Sequence, residues 1–305
     1  MKLKPNFSWM RAGWLFGAGA LTLTLSILAA TAHAQVASSI WPWGYDEHGQ
    51  VQNTPTGTGY VAVSGGWGHS LALRADGVIE TWGNNWYGQC VVPGQNANFV
   101  EIAAGQYHSL GLKSNGSIAT WGMAGVPGFN SGFEKIAGGY WFNLGLKADG
   151  TIVAWGDNGW GQCNVPLPNA NFVAVAAGSN HALGLKSNGS IEAWGLNDTD
   201  QCEVPEPNTG FVAVAAGGNG GWGGGHSLGL KADGSIVAWG DNSSGECEVP
   251  DPNEDFVAIA ANAWWSMGLK SDGSIVAWGL EAQGQCNIPK PNTGFTRISA
   301  GAFHG

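Results

Sequence analysis

Five histidines recur at equivalent places along this chain: His69, His108, His181, His226 and His304. Imidazoles suit acid–base work and transition-metal ligation, so a metal ring is the first chemistry to test. Equivalent positions in successive repeats lie too far apart to share one ion. Phe142 and Trp265 occupy the same slot in two repeats, so the slot tolerates apolar rings. The expected role is a packing residue hydrogen-bonded to a neighbouring turn.

The cysteines follow the same logic. Cys90, Cys163, Cys202, Cys247 and Cys286 each follow a Gly-Gln, Asp-Gln or Gly-Glu pair, and no C-x-x-C occurs. An odd number spaced one repeat apart argues against a disulfide framework, even in an exported protein. They read as small buried hydrophobes. Gly218 to Gly223 matches G-x-G-x-x-G, but no helix follows, so the phosphate-cradling context is missing and the stretch is a loop insertion. Asp198-Thr199-Asp200 carries acidic loop charge without an EF-hand or nonapeptide calcium repeat. The Asp-Gly turns lack the spacing of a sialidase Asp-box. No nucleophile, base and orienter form a constellation. The expectation is a non-enzyme with no cofactor and no metal.

The spacing of these residues leads to the elements that carry them. Trp-Gly occurs at Trp43, Trp82, Trp121, Trp155, Trp194, Trp239 and Trp278, with gaps of 39, 39, 34, 39, 45 and 39. The short gap follows Trp121, where Met123 to Pro127 replaces Gly-Gln-Cys. The long one contains the glycine-rich stretch 217–225. Within one unit, 172–176 reads as a small apolar strand and His181 opens a second. Asn188-Gly189 is expected to be a two-residue type I′ hairpin turn, and 190–194 a third strand. Cys163-Asn164-Val165 is expected to be a short edge strand stopped by Pro166. About 40 residues and four strands per unit give an all-β, seven-bladed β-propeller of ~39-residue repeats. The blades fall at about 60–93, 99–127, 133–166, 172–205, 211–250, 256–289, and 295–305 completed by 39–51. The last blade is expected to be incomplete at the C-terminus: aligning His304 on His108 leaves it without positions equivalent to 110–116, as expected of a C-terminally truncated chain.

Composition agrees with such a fold. The chain has 51 glycines and 17 tryptophans in 305 residues with only 11% charged residues, so it can bury a large core. Its net charge of −10 lacks the basic footprint of a nucleic-acid binder. Lys2, Lys4 and Arg11, an apolar run from Trp14 to Ala30 and Ala32-His33-Ala34 describe a signal peptide over residues 1–34. Its cleavage leaves 9 basic residues and a net charge of −13, on a protein that is secreted, periplasmic or at the cell surface and not membrane-bound.

Strings such as Gly105-Gln106-Tyr107-His108-Ser109-Leu110-Gly111-Leu112-Lys113 and Ala238-Trp239-Gly240-Asp241-Asn242, with Gly161-Gln162-Cys163-Asn164-Val165-Pro166, resemble the regulator of chromosome condensation repeat. The short period, the Val-Pro ending and the signal peptide are most similar to the secreted bacterial branch, which includes type-II β-lactamase inhibitory proteins. The resemblance spans 39–305. It implies a seven-bladed propeller and protein binding through loops on one face.

In an up-and-down blade the first and third loops share a face. The first loops carry Trp67, Tyr107, Tyr140, Trp141, Trp264 and Phe303, the insertion adds Trp222, and the third loops carry Trp86, Tyr87 and Trp160. Exposed aromatics mark interaction sites, and Trp and Tyr dominate interface hot spots. The rings either present a binding rim or fold inward as a plug. Asp157, Asp198, Asp200 and Asp241 favour a basic or neutral partner. The expected function is monomeric protein binding through this rim. The alternatives are glycan binding, by sugar stacking on the tryptophans, and a structural module of a larger surface protein.

Overall fold

Phe172–Ala177, His181–Lys186 and Ile191–Gly195 pair antiparallel as the inner, middle and outer strands of one sheet. The structure, a computed structural model, describes residues 38–218 and 223–305. The signal-peptide reading and Trp222 lie outside the described residues. The pattern occurs six times, with inner strands beginning at Tyr60, Phe99, Phe133, Phe172, Phe211 and Phe256. These are units 1 to 6; the terminal segments form unit 7.

Each element follows from local sequence. In unit 4 the inner strand, Phe-Val-Ala-Val-Ala-Ala, slips register by one residue after Phe172, a bulge that turns Val173 to solvent. The middle strand is buried at its first five positions, because strands flank both edges and neighbouring units cover both faces. Its Leu183 and Leu185, with Ile191, pack on Phe211, Ala216 and Trp239 of unit 5. The Trp-Gly step therefore fills the wedge between consecutive units, where a buried tryptophan contributes more apolar area than any other side chain. The small inner-strand residues Ala176, Ala177, Ala215, Ala216, Ala260 and Ala261 help line a central cavity of about 300 Å³.

Two expectations are corrected. The hairpin is not a two-residue type I′ turn: Gly189 lies at φ +81°, while Asn188 stays at negative φ. Lys186 C=O accepts from Gly189 N–H at 2.9 Å, and Asn188 Oδ1 accepts from Ser190 N–H at 3.0 Å. That is a three-residue loop with one left-handed glycine, held by an Asx contact. The fourth strand also fails to form, and the sheets of the described residues are three-stranded. The Cys163 N–H that a ladder would use donates to Asn158 Oδ1 at 2.8 Å. The outer edge is finished by one side chain instead. Asn169 accepts from Ile152 N–H at 2.7 Å and donates to Ile152 C=O at 2.8 Å, so a carboxamide substitutes for a neighbouring strand. Asn96, Asn130, Asn208, Asn253 and Asn292 repeat the contact.

The units are joined by their tryptophans. Trp121 Nε1 donates to Gln89 C=O of the preceding unit at 2.7 Å. Trp82 donates to Gln50, Trp194 to Gln162, Trp239 to Gln201, Trp278 to Glu246 and Trp43 to Gln285, all at 2.8–3.0 Å. Trp155 donates to Gly125 at 2.8 Å, in the loop that lacks Gly-Gln-Cys, and is correspondingly less buried. The bonds form a closed cycle through all seven Trp-Gly units. At the seam Trp43 and Gly305 exchange N–H to C=O bonds of 3.1 and 3.0 Å, and Gly44 pairs with His304, matching the Ser70–Trp82 and His69–Gly83 pairs of unit 1.

Candidate functional site

The histidine slot carries no catalytic chemistry in this arrangement. Each ring packs on the glycine that follows the inner strand, three residues before His69, His108, His181 and His304 but nine before His226, where it is Gly217; a Cβ on Gly105 would meet His108 Cε1 at 2.2 Å. The hydrogen-bond partner is not a turn, as expected from sequence, but the residue after the slot in the next unit. His69 meets Ser109 Oγ at 3.0 Å, His108 meets Asn143 Oδ1 at 2.6 Å, and His181 meets Ser227 Oγ at 3.0 Å. His226 meets Ser266 Oγ at 2.8 Å, and His304 closes on Ser70 Oγ at 2.8 Å. Ser109 Oγ donates its only hydrogen to Gln89 C=O at 2.9 Å, so His69 must donate from Nε2. Where the slot is Phe142 the opposite residue is Ala182, and where it is Trp265 the opposite residue is Gly305. Polar faces polar and apolar faces apolar. Burial lowers the imidazole pKa to about 3 at His69 and His226, and to about 4 at His108, His181 and His304.

The cysteines are free and half-buried. Each Sγ donates to the carbonyl six residues earlier, at 3.1–3.5 Å, so the thiol is a weak donor in a turn and not merely a small hydrophobe. Burial pushes their pKa up to about 11 at Cys90, Cys163 and Cys286 and about 12 at Cys202 and Cys247. Among the described residues no three His, Cys, Asp or Glu side chains gather as a metal site.

The aromatic loops do share one face. The N–H after each Trp-Gly step donates to the carbonyl before the histidine slot: Asn84 to Gly68, Met123 to Tyr107, Asp157 to Trp141 and Leu280 to Trp264, at 2.7–3.0 Å. These bonds clamp each third loop beside its first loop. The rings then touch across units. Tyr107 is the hub, with centroids 5.7 Å from Trp67, 5.2 Å from Tyr87, 6.3 Å from Tyr140 and 5.4 Å from Trp141. Tyr140 lies 5.3 Å from Trp141. Phe303 stands 6.4 Å from Trp67 and 5.8 Å from Trp264.

Two members escaped the sequence reading: Tyr45, 6.1 Å from Phe303, and His48, 5.8 Å from Trp67 and 5.0 Å from Trp86. The alignment of Trp43 with Trp121 was the available signal, since it makes 45–48 the third loop of unit 7. The ten rings form one connected patch over units 7, 1, 2, 3 and 6. Trp67, Tyr140, Trp264 and Phe303 line the mouth of the central cavity. Tyr107 and Trp141 are half-buried, and burial with the neighbouring Tyr140 and Tyr87 raises the Tyr107 pKa. Trp86 (72% exposed), Trp160 (59%) and Tyr87 (49%) face solvent. Trp160 stacks on no other described ring and stands apart from the patch.

The acidic side of the rim lies on units 3, 4 and 5. Asp157 Oδ2 accepts from Gln162 Nε2 at 2.8 Å, Asp198 Oδ1 from Gln201 Nε2 at 3.0 Å, and Asp241 Oδ1 from Ser243 N–H at 3.0 Å. Asp200 sits at φ +62°. Asp157 and Asp241 brace their own loops, and Asp198 also accepts from Gly224 N–H of the next unit at 3.2 Å.

Three-stranded antiparallel repeats around a central cavity, with loops gathered on one face, define an all-β propeller-type repeat protein. The chain belongs to the regulator of chromosome condensation family: the family model for the Regulator of chromosome condensation (RCC1) repeat matches residues 60–89, 99–125, 133–162, 172–201 and 211–246, half of the sequence. No curated protein matches the sequence. Among solved structures, the ectodomain of the Physcomitrella patens receptor kinase CR4 is 26% identical, with TM-score 0.68 over 81% of this chain and 69% of that one. Saccharomyces cerevisiae Prp20p is 18% identical, with TM-score 0.69 over 86% and 89%. The CRINKLY WD40 ectodomain of the Arabidopsis thaliana receptor kinase ACR4 is 24% identical, with TM-score 0.59 over 77% and 84%.

Proposed function

We propose that this chain is an exported, non-catalytic, seven-bladed propeller that binds a protein partner through the aromatic side of its rim. The patch of ten rings carries the reading: Trp86 and Tyr87 stand in water on a base of half-buried rings that holds them in place. A preordered aromatic anchor loses little entropy on binding. Prp20p supports the use of the fold, since its structure was described together with its binding to Gsp1p and histones, which are proteins. The CR4 relative is an ectodomain, in keeping with an exported setting. Asp157, Asp198, Asp200 and Asp241 sit beside the patch, so the partner presents apolar side chains next to neutral or basic ones.

The test screens the intact chain against exported proteins and against a glycan panel, then repeats it with Trp86→Ala and Tyr87→Ala. Binding of a protein that weakens at least about thirtyfold, the usual effect of losing a hot-spot side chain, is the expected result. Unchanged affinity in both variants removes the rim, and saturable binding of glycans alone makes the surface lectin-like.

A further inference from the structure

The central cavity is lined at three levels. Trp67, Tyr140, Trp264 and Phe303 stand at its mouth, alanine and glycine follow, and Ile102, Ile136, Val214 and Ile298 lie deeper. The middle level is polar although its side chains are not. In unit 3 Gly139 N–H closes the hairpin on Phe142 C=O at 2.8 Å. Antiparallel pairs alternate between bonded and non-bonded, so the next pair, Gly138 with Asn143, is non-bonded. The N–H and C=O of Gly138 therefore turn away from the middle strand and face the cavity. Gly178 and Gly217 close units 4 and 5 in the same way at 2.9 Å, which turns Ala177 and Ala216 inward.

Three contacts show where such groups point. Gly65 N–H donates to Ser299 Oγ of unit 7 at 3.0 Å, and Ala104 N–H donates to Ser64 Oγ of unit 1 at 2.9 Å. A carbonyl at this level, that of Ala300, accepts from Asn262 Nδ2 at 3.0 Å. For Gly138, Ala177 and Ala216 the serine's place is taken by Ala103, Ala137 and Ala176, so no hydroxyl meets them. Units 3 to 5 thus offer a row of backbone donors and acceptors to the cavity. Units 7 and 1 offer the two serine hydroxyls, each accepting one N–H and keeping its own hydrogen to donate.

Inward-facing backbone groups require partners. An anion would leave the carbonyls unpaired, and a cation would leave the N–H groups unpaired. A hydroxyl serves both. Between the amides the wall is methyl groups, and the mouth is aromatic, which suits the C–H faces of a sugar ring. A volume of about 300 Å³ is at the lower end for ligand sites and fits one ring, not a chain.

We infer that the central cavity binds one neutral monosaccharide ring. Its hydroxyls meet the inward amides of Gly138, Ala177 and Ala216 and the hydroxyls of Ser64 and Ser299, and a C–H face lies under the mouth aromatics. The site goes beyond the protein-binding reading and does not use the exposed Trp86 and Tyr87.

The intact chain is titrated calorimetrically with D-glucose, D-galactose, D-mannose and N-acetyl-D-glucosamine, and amide hydrogen exchange is followed with and without sugar. The expected result is 1:1 binding of at least one of them. Exchange at Gly138, Ala177 and Ala216 should slow about a hundredfold at a sugar concentration of about 100 times Kd. Ser64→Ala combined with Ser299→Ala should lower affinity at least about tenfold, the loss of two hydrogen bonds, while Trp86→Ala leaves it unchanged. If the serine variant fails to fold, the exchange pattern of the unaltered chain still decides. Disaccharides of the bound sugar separate its sources: equal binding marks a glycan end and failure to bind marks a free sugar, and both keep the ring in the cavity. Absence of protection at the three amides with all four sugars, protection confined to the rim loops, or an equal loss in Trp86→Ala overturns the proposal.

Discussion

His108 donates from Nε2 to Asn143 Oδ1 at 2.6 Å, and both side chains are sealed between two units. Asn143→Ala leaves the imidazole N–H without a partner and should destabilise by about 1–3 kcal/mol. The double change His108→Phe with Asn143→Ala recreates the Phe142–Ala182 pairing of the next interface, and should recover at least half of that loss. Urea denaturation of the four proteins measures the coupling; additive losses would show that the two residues are independent.

The tryptophan cycle makes a graded prediction. Trp194→Ala opens a cavity and orphans the Gln162 carbonyl, and should cost about 3–5 kcal/mol. Trp155→Ala should cost at least about 1 kcal/mol less, because its site is more exposed. Thermal unfolding monitored by calorimetry ranks the two.

Acid and base should act on different groups. The five slot histidines titrate near pH 3–4 in the folded chain and near 6.5 when unfolded, so the unfolded state takes up protons first as pH falls. Their stabilising effect is complete above about pH 6.5 and is lost as pH drops from there toward 4. Glu101 has the opposite sign. Burial raises its pKa from 4.5 to about 7, against the favourable effects of the Ile136 N–H bond and Lys135, so its cost grows as pH rises from 4.5 through 7. Glu101→Gln should therefore gain about 1–3 kcal/mol more at pH 8 than at pH 4.5. Urea midpoints across pH 4–8 for both proteins check both signs.

The thiols should be inert. With pKa values of about 11–12 they hold little thiolate at pH 8, and thiol-reactive dye should label the folded chain at least about a hundredfold more slowly than the urea-unfolded one. Full labelling within minutes in the native state would show that the turns open.

Removing exposed rim rings should leave the fold intact. Trp86→Ala and Tyr87→Ala should shift stability by no more than about 0.5 kcal/mol, as surface changes do. Tyr107→Ala should lose more, because that ring is the hub of the patch.

The all-β fold and the strand order were legible from Trp-Gly spacing and from the alternation of apolar and turn residues, since both repeat without drift. The hairpin conformation was not. Asn-Gly favours type I′, but Asn188 gains more from accepting Ser190 N–H than from positive φ. The missing fourth strand had a readable cause, the Asn five residues before each of four cysteines, whose carboxamide outcompetes a ladder partner. Trp67 and Trp86 look alike in sequence, yet one lines the cavity mouth and the other stands in water. That difference depends on the neighbours a loop meets across the rim, which spacing along one chain does not encode.

The indole-to-carbonyl cycle is directional: each unit brings a donor on one flank and an acceptor on the other. A duplicated unit would arrive with both, so its indole and its carbonyl would each find a partner in the flanking units. Lengthening by whole repeats is therefore neutral for the indole bonds, and what it must still satisfy is the slot pair at each new interface, polar on polar or apolar on apolar.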